Sequence, residues 1–197
     1  SFHETKNLNC GEGGLLVIND EQFLKRAEII WEKGTNRMEF HRGEVKKYEW
    51  VDIGSSFLPS EITASFLFAQ INNLKNIQKI RKQIWNAYYE NLMSIKNQVE
   101  LPFLPNYASN NAHLFYLVLK NIDQRDSFLS FMKEKGVMSV FHYQSLHSSP
   151  FYNNKHDGRQ LDFANKYAER LVRLPLFYDL NNEEVHYIID SVKDFFS

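Results

Sequence analysis

An α/β class is predicted for this chain of 197 residues by two observations. Over the last hundred residues, short β-prone runs alternate with amphipathic stretches, the pattern of an α/β or α+β unit. Phe 16, Tyr 10 and Trp 3 make the chain 15% aromatic, whereas Gly 8 and Pro 5 are few, so a core is available and a low-complexity polymer is excluded. Lys and Arg number 23 against 24 Asp and Glu, a net charge of −1. That balance argues against electrostatic capture of nucleic acid or an anionic membrane as the main task. The single cysteine, Cys10, excludes an internal disulfide framework and any multi-cysteine zinc site. No apolar run approaches the ~18–20 residues of a membrane span. No signal peptide is recognisable either, so the expected compartment is the cytoplasm.

The elements follow in order. Gly13-Gly14 ahead of Leu15, Leu16, Val17 and Ile18 predict a short buried strand leaving a tight turn. Asp20 is placed to cap a helix on which Phe23, Ala27 and Ile30 recur at helical spacing until Gly34 stops it. Residues 34–58 match neither period and mix charges with aromatics (Arg37, Phe40, His41, Arg42, Tyr48, Trp50). They predict a loop of ~25 residues, long enough to be functional. Ser60 opens a helical stretch to about Ser94, with Ile62, Phe66 and Ala69 on one face, then Ile77, Ile80, Ile84 and Tyr88, and a bend at Asn72-Asn73. A strand is expected over 113–119, then a helix capped by Asp123 and ended by Gly136, then a strand over 137–141. A helix over 161–172, a turn at Leu174-Pro175-Leu176 and a last helix opened by Asn181 and Glu184 in capping-box spacing complete the chain.

Most candidate motifs fail on their own chemistry. Gly11, Gly13 and Gly14 fit neither the Walker nor the dinucleotide fingerprint and precede a strand, so a turn needing positive φ explains them. His142, His147 and His156 share one loop without zinc-ligand spacing, and no metal is expected. Ser55 and Ser56 lack the strand–turn–helix setting of a nucleophile elbow. Lys6 is, on pattern alone, one lysine among many.

Residue runs carry the argument further. Ser1-Phe2-His3-Glu4-Thr5-Lys6-Asn7, followed by Cys10-Gly11-Glu12-Gly13-Gly14, resembles the lysine segment of the DegT/DnrJ/EryC1/StrS sugar aminotransferases, enzymes dependent on pyridoxal 5'-phosphate (PLP). The resemblance continues through Gly34-Thr35-Asn36-Arg37 and Val51-Asp52-Ile53-Gly54-Ser55-Ser56. It resumes at Phe141-His142-Tyr143 with Leu146-His147, and at Glu169-Arg170-Leu171 with Leu174-Pro175-Leu176-Phe177. It implies the fold-type I, aspartate aminotransferase-like α/β fold. Lys6 would hold the cofactor aldehyde covalently and then shuttle a proton, which requires a neutral amine. Ser1 corresponds to the serine that hydrogen-bonds the cofactor phosphate. Related dehydrases carry histidine at the lysine position, so Lys6 implies amino transfer. The Gly-Thr-Asn-Arg and Val-Asp-Ile-Gly-Ser-Ser runs resemble members that pass an amino group from L-glutamate to the 4-keto carbon of dTDP-4-keto-6-deoxy-D-glucose. Their products enter surface polysaccharide of the enterobacterial common antigen kind.

One departure stands out. Many relatives have Gly-Tyr-Asn-Tyr-Arg where this chain has Gly54-Ser55-Ser56-Phe57-Leu58, and that asparagine reaches the cofactor phosphate of the neighbouring subunit of a homodimer. Ser56 stands in its place, suited either to a shorter phosphate contact or simply to the approach to a helix. Arg37 and Arg42 suit a diphosphate or carboxylate, or plain surface charge. His142, Tyr143 and His147 suit the sugar end of the site, or the pinning of their own loop; His113 matches a structural histidine. The family subunit is considerably longer, and this chain opens at Ser1 as though mid-sequence. Residues 1–58 are therefore expected to be a remnant of the cofactor-binding large domain, 59–95 the connecting helices and 96–197 the small C-terminal domain. The partner of the pyridine nitrogen and the residue stacking on the ring are expected outside this chain, leaving the 197 residues inactive alone. The alternative is a catalytically silent fragment acting as a dimerisation or binding module.

Overall fold

In a computed structural model, which describes residues 1–197, the chain divides into Ser1–Leu74 and Lys75–Ser197. In the first unit, Asp20 accepts the Gln22 N–H at 3.0 Å and caps a 3₁₀ turn, Glu21–Phe23, that runs into α1 (Leu24–Trp31). Gly34 follows with φ +80° and ends the run, as its position predicts. A short helix, α2 (Arg37–His41), interrupts the expected loop. The helix α3 (Glu61–Asn72) starts at Ser60, whose hydroxyl accepts the Thr63 N–H at 3.1 Å.

The strand expected at 15–18 does not form. No segment of the unit pairs with it, and Leu15, Leu16 and Val17 stand 73%, 74% and 69% exposed. A strand without a neighbour has no partner for its backbone N–H and C=O groups, so the apolar run stays irregular. The expected inward face of α3 is likewise open, with Ile62 83% exposed. No apolar side chain of this unit is fully buried; its buried side chains are those of Glu32 and Thr35.

The second unit holds the core. After the break at Asn73, α4 (Leu74–Leu92) buries Ile77, Ile84, Trp85, Tyr88 and Leu92 along one stripe. Strand β1 (Phe115–Val118) leads to α5 (Ile122–Glu134), whose cap is Asn121 rather than the expected Asp123; the Asn121 side chain accepts the Gln124 N–H at 2.9 Å. Strand β2 (Val140–Phe141), α6 (Asp162–Arg170), β3 (Leu171–Leu174) and α7 (Asn182–Phe195) complete the order. The sheet runs β1-β3-β2, with β3 antiparallel to both neighbours. Phe115 faces Leu174 and Leu117 faces Val172, so these four side chains share one sheet face. Against them pack Tyr88 and Leu92 of α4, Phe128 and Met132 of α5, and Ile188, Ile189 and Val192 of α7. Residues 171–172, expected to finish a helix, instead begin the central strand. The backbone turns extended at Leu171 (ψ 133°) immediately after α6, with no loop between. No helix is long and apolar enough to cross a membrane.

Candidate active site

Lys6 lies on a loop whose ends are tied together: the Phe2 N–H donates to Gly13 O at 2.8 Å, and the Cys10 N–H to Phe2 O at 2.9 Å. Gly13 allows that closure, because a Cβ there would lie 2.7 Å from Cys10 Sγ. Inside the loop the Lys6 N–H donates to His3 O at 2.9 Å, forming a turn that leaves the lysine side chain exposed. The Thr5 N–H donates to His3 Nδ1 at 3.2 Å, which makes Nδ1 an acceptor and leaves the proton of a neutral imidazole on Nε2, 3.5 Å from Glu12 Oε1. Ser1 Oγ accepts the His3 N–H at 3.4 Å, so the expected phosphate hydroxyl and the expected aldehyde-holding amine hang from the same turn.

Ser56 sits elsewhere in this unit, bridged to Glu32. It lines an open groove of about 420 Å³ together with Phe2, Cys10, Gly13, Phe57 and Leu67. Lys6 and Ser1 are not among the lining residues. Arg37 opens α2; its Nη1 is 3.9 Å from Glu32 Oε2 and its guanidinium lies 6.0 Å from the centre of the Tyr48 ring. Arg42 is held by two carboxylates. Its Nε donates to Glu44 at 2.7 Å and its Nη1 to both Glu28 oxygens at 2.9 and 3.1 Å, hydrogen bonds that push the pKa of this exposed guanidinium up. Any substrate anion reaching Arg42 would share its guanidinium with these two carboxylates.

The remaining candidates belong to the second unit. His142 follows β2 with its Nδ1 buried and without a partner, and burial, then the neighbouring Arg173 charge, push its pKa below the usual 6.5. Its ring centre lies 5.1 Å from that of Tyr143. His147 stands in the 3₁₀ turn Leu146–Ser148, its ring 5.2 Å from that of His156. Two groups result: Ser1, Lys6, Arg37, Arg42 and Ser56 in one unit, His142, Tyr143 and His147 in the other. No group of three or more His, Cys, Asp or Glu side chains is placed to hold a metal ion. Sequence reasoning missed Arg173, the cation beside His142, because it falls between the expected helix over 161–172 and the expected turn at Leu174. Alternation over Leu171–Leu174 was the available signal, too short to prevail.

The profile of the DegT/DnrJ/EryC1/StrS aminotransferase family matches residues 1–193. The chain belongs to this family. Among solved family folds, Helicobacter pylori PseC, an aminotransferase involved in the biosynthesis of pseudoaminic acid, superposes with TM-score 0.86 at 21% identity, over 100% of this chain and 52% of its own. The aminotransferase TlmJ of Streptoalloteichus hindustanus gives 0.84 at 23%, over 99% and 50%. A DegT DnrJ EryC1 StrS aminotransferase from Brucella abortus gives 0.81 at 26%, over 98% and 49%. The chain thus spans about half the length of the structures it matches, and it has the fold of the corresponding part of a fold-type I aminotransferase. The family is PLP-dependent, and a sugar aminotransferase of this fold from Streptococcus pneumoniae is known in its PLP form.

Proposed function

We propose that the protein is a PLP-dependent sugar aminotransferase that moves the amino group of L-glutamate to the 4-keto carbon of dTDP-4-keto-6-deoxy-D-glucose. It would act as a cytoplasmic homodimer supplying surface polysaccharide of the enterobacterial common antigen kind. Family membership supports the reaction class. The observation that carries the reading is the exposed side chain of Lys6 on a closed turn whose His3 N–H donates to the Ser1 hydroxyl. That donor set fits two ends of the cofactor, an amine for its aldehyde and a hydroxyl for its phosphate. When bound, the cofactor supplies the electron sink.

The chain's own residues do the rest. Lys6 Nζ must be neutral to react, which desolvation by covering structure and nearby positive charge would favour. The same nitrogen, once free, is the base that lifts a proton from one carbon and returns it to another. Ser56 is assigned to the phosphate contact made across the dimer. Arg37 and Arg42 are assigned to the diphosphate, and His142, Tyr143 and His147 to the sugar end. The partner of the pyridine nitrogen is assigned to the part of the relatives' length outside this chain, so the 197 residues alone are inactive in this reading.

Borohydride reduction of the full-length protein loaded with PLP, followed by peptide mapping, tests the reading. The label is expected on Lys6, and Lys6→Ala should lower glutamate-dependent amination by at least roughly 10²-fold. A label on another lysine overturns it. The silent-module alternative draws on the exposed Leu15, Leu16 and Val17, and it prevails if the full-length protein dimerises but takes up no cofactor.

A further inference from the structure

The two runs Gly34-Thr35-Asn36-Arg37 and Val51-Asp52-Ile53-Gly54-Ser55-Ser56 lie far apart in sequence, yet the structure makes them one object. The Val51 and Asp52 N–H groups both donate to Gly34 O, at 2.8 and 3.1 Å. The Lys33 N–H donates to Ser55 O at 3.1 Å and the Ser55 N–H to Ile30 O at 3.0 Å. Asn36 closes the far side, its Oδ1 accepting the Glu49 N–H at 2.7 Å and its own N–H donating to Glu49 O at 3.2 Å. At the centre the backbones cross at two glycines. A Cβ on Gly54 would lie 2.7 Å from Gly34 Cα and from the Lys33 carbonyl carbon, and would collide with Gly34 N. A Cβ on Gly34 would collide with Asp52 O and lie 3.1 Å from Gly54 N, at a φ of +80° that also favours glycine. Gly54 has no such positive φ, so closeness of approach alone demands its missing side chain.

Ser56 follows this crossing by two residues and is held to Glu32; Arg37 follows it by three. We propose that the Gly34–Gly54 crossing is the positioning device for Ser56, fixing the chain so that its hydroxyl reaches the cofactor phosphate. This rests on the assignment of Ser56 to that phosphate. Gly34 and Gly54 touch neither cofactor nor substrate; they act through the segment they lock.

The test uses the full-length protein and compares the affinity for pyridoxal phosphate with that for pyridoxal, which lacks the phosphate. Ser56→Ala should lower the preference for the phosphorylated form by roughly tenfold, the worth of a hydrogen bond to a charged group. Gly54→Ala should lower it by a similar factor. Asn36→Ala, which removes the exposed bonds of its side chain to Glu49 and Glu39 and adds no bulk, keeps the question answerable if Gly54→Ala does not fold, and should lower the preference severalfold. A purely structural crossing would lower the melting temperature and leave the preference intact; that result, with Ser56→Ala still effective, overturns the proposal alone. If Ser56→Ala itself changes nothing, the phosphate assignment falls and the proposal with it, whereas the aminotransferase reading is judged separately by the borohydride label on Lys6.

Discussion

Tyr88 is fully buried on α4, and its hydroxyl donates to Pro175 O at 2.8 Å. Burial pushes the phenol pKa up, because a phenolate there would lose its hydration. Tyr88→Phe keeps the ring and leaves a carbonyl without its donor, so about 1–2 kcal/mol of stability should disappear, read as a lower urea midpoint at unchanged slope. Arg81 is a second buried polar group, donating to Ala112 O at 3.0 Å and His113 O at 2.6 Å, with burial pulling its pKa down. It holds the chain where Ala112 takes a φ of +50° just before β1. His142 carries the pH prediction. Its folded pKa lies below 6.5, so its contribution to stability is full above that value and is lost as the pH falls through the lower folded one. Arg173→Gln removes the second of the two causes and should move the His142 titration back toward 6.5 in an NMR pH series. An unmoved titration would leave burial as the only cause.

At the scale of elements, α7 is the one whose start is closed by reciprocal bonds. Asn181 Oδ1 accepts the Glu184 N–H at 2.9 Å, and Glu184 Oε2 accepts the Asn181 N–H at 2.9 Å. Asn181→Ala should cost ~1 kcal/mol, and the double variant with Glu184→Ala less than the sum, since either change already opens the box. Thermal unfolding of the four proteins measures it. This start was legible in the sequence because the cap and its answering carboxylate lie three residues apart. The break between α3 and α4 was legible for the same kind of local reason. Strand β3 was not, since Arg170 passes straight into Leu171 with no Gly, Pro or Asn to mark the change, and only pairing with β1 and β2 holds the segment extended. The run at 15–18 failed in the opposite way: its residues suit a strand, but strand structure is completed by a neighbour. In the candidate site, nothing in pattern distinguishes Lys6; family resemblance alone singles it out. The glycines at 34 and 54 were legible as motif letters, but their contact across the intervening loop depends on the folded path.

The whole molecule is uneven in what holds it. Every fully buried apolar side chain lies between Ile77 and Val192, within Lys75–Ser197, whereas Ser1–Leu74 is maintained by backbone hydrogen bonds, caps and ion pairs such as Arg26–Asp52 at 3.1 Å. Exposed ion pairs contribute little, with a typical worth of about 0–1 kcal/mol, and hydrogen bonds open to water are readily exchanged. Residues 75–197 expressed alone should therefore unfold in one cooperative urea transition, and residues 1–74 alone should show none. In the intact 197-residue chain, hydrogen exchange should divide at the same place. Amides of Leu117, Val172 and Ile189, in the core, would open only with global unfolding, while those of Val51 and Ser55, though bonded across the glycine crossing, would open locally and exchange faster. Equal protection in the two regions would mean that the first unit draws stability from a source other than apolar burial. Slow exchange at Val51 and Ser55 appearing only in the full-length, cofactor-loaded protein would instead show that the segment leading to Ser56 is ordered by cofactor binding and the rest of the subunit. Stability and cofactor binding in that region would then be one equilibrium, measurable as a rise in protection with cofactor concentration.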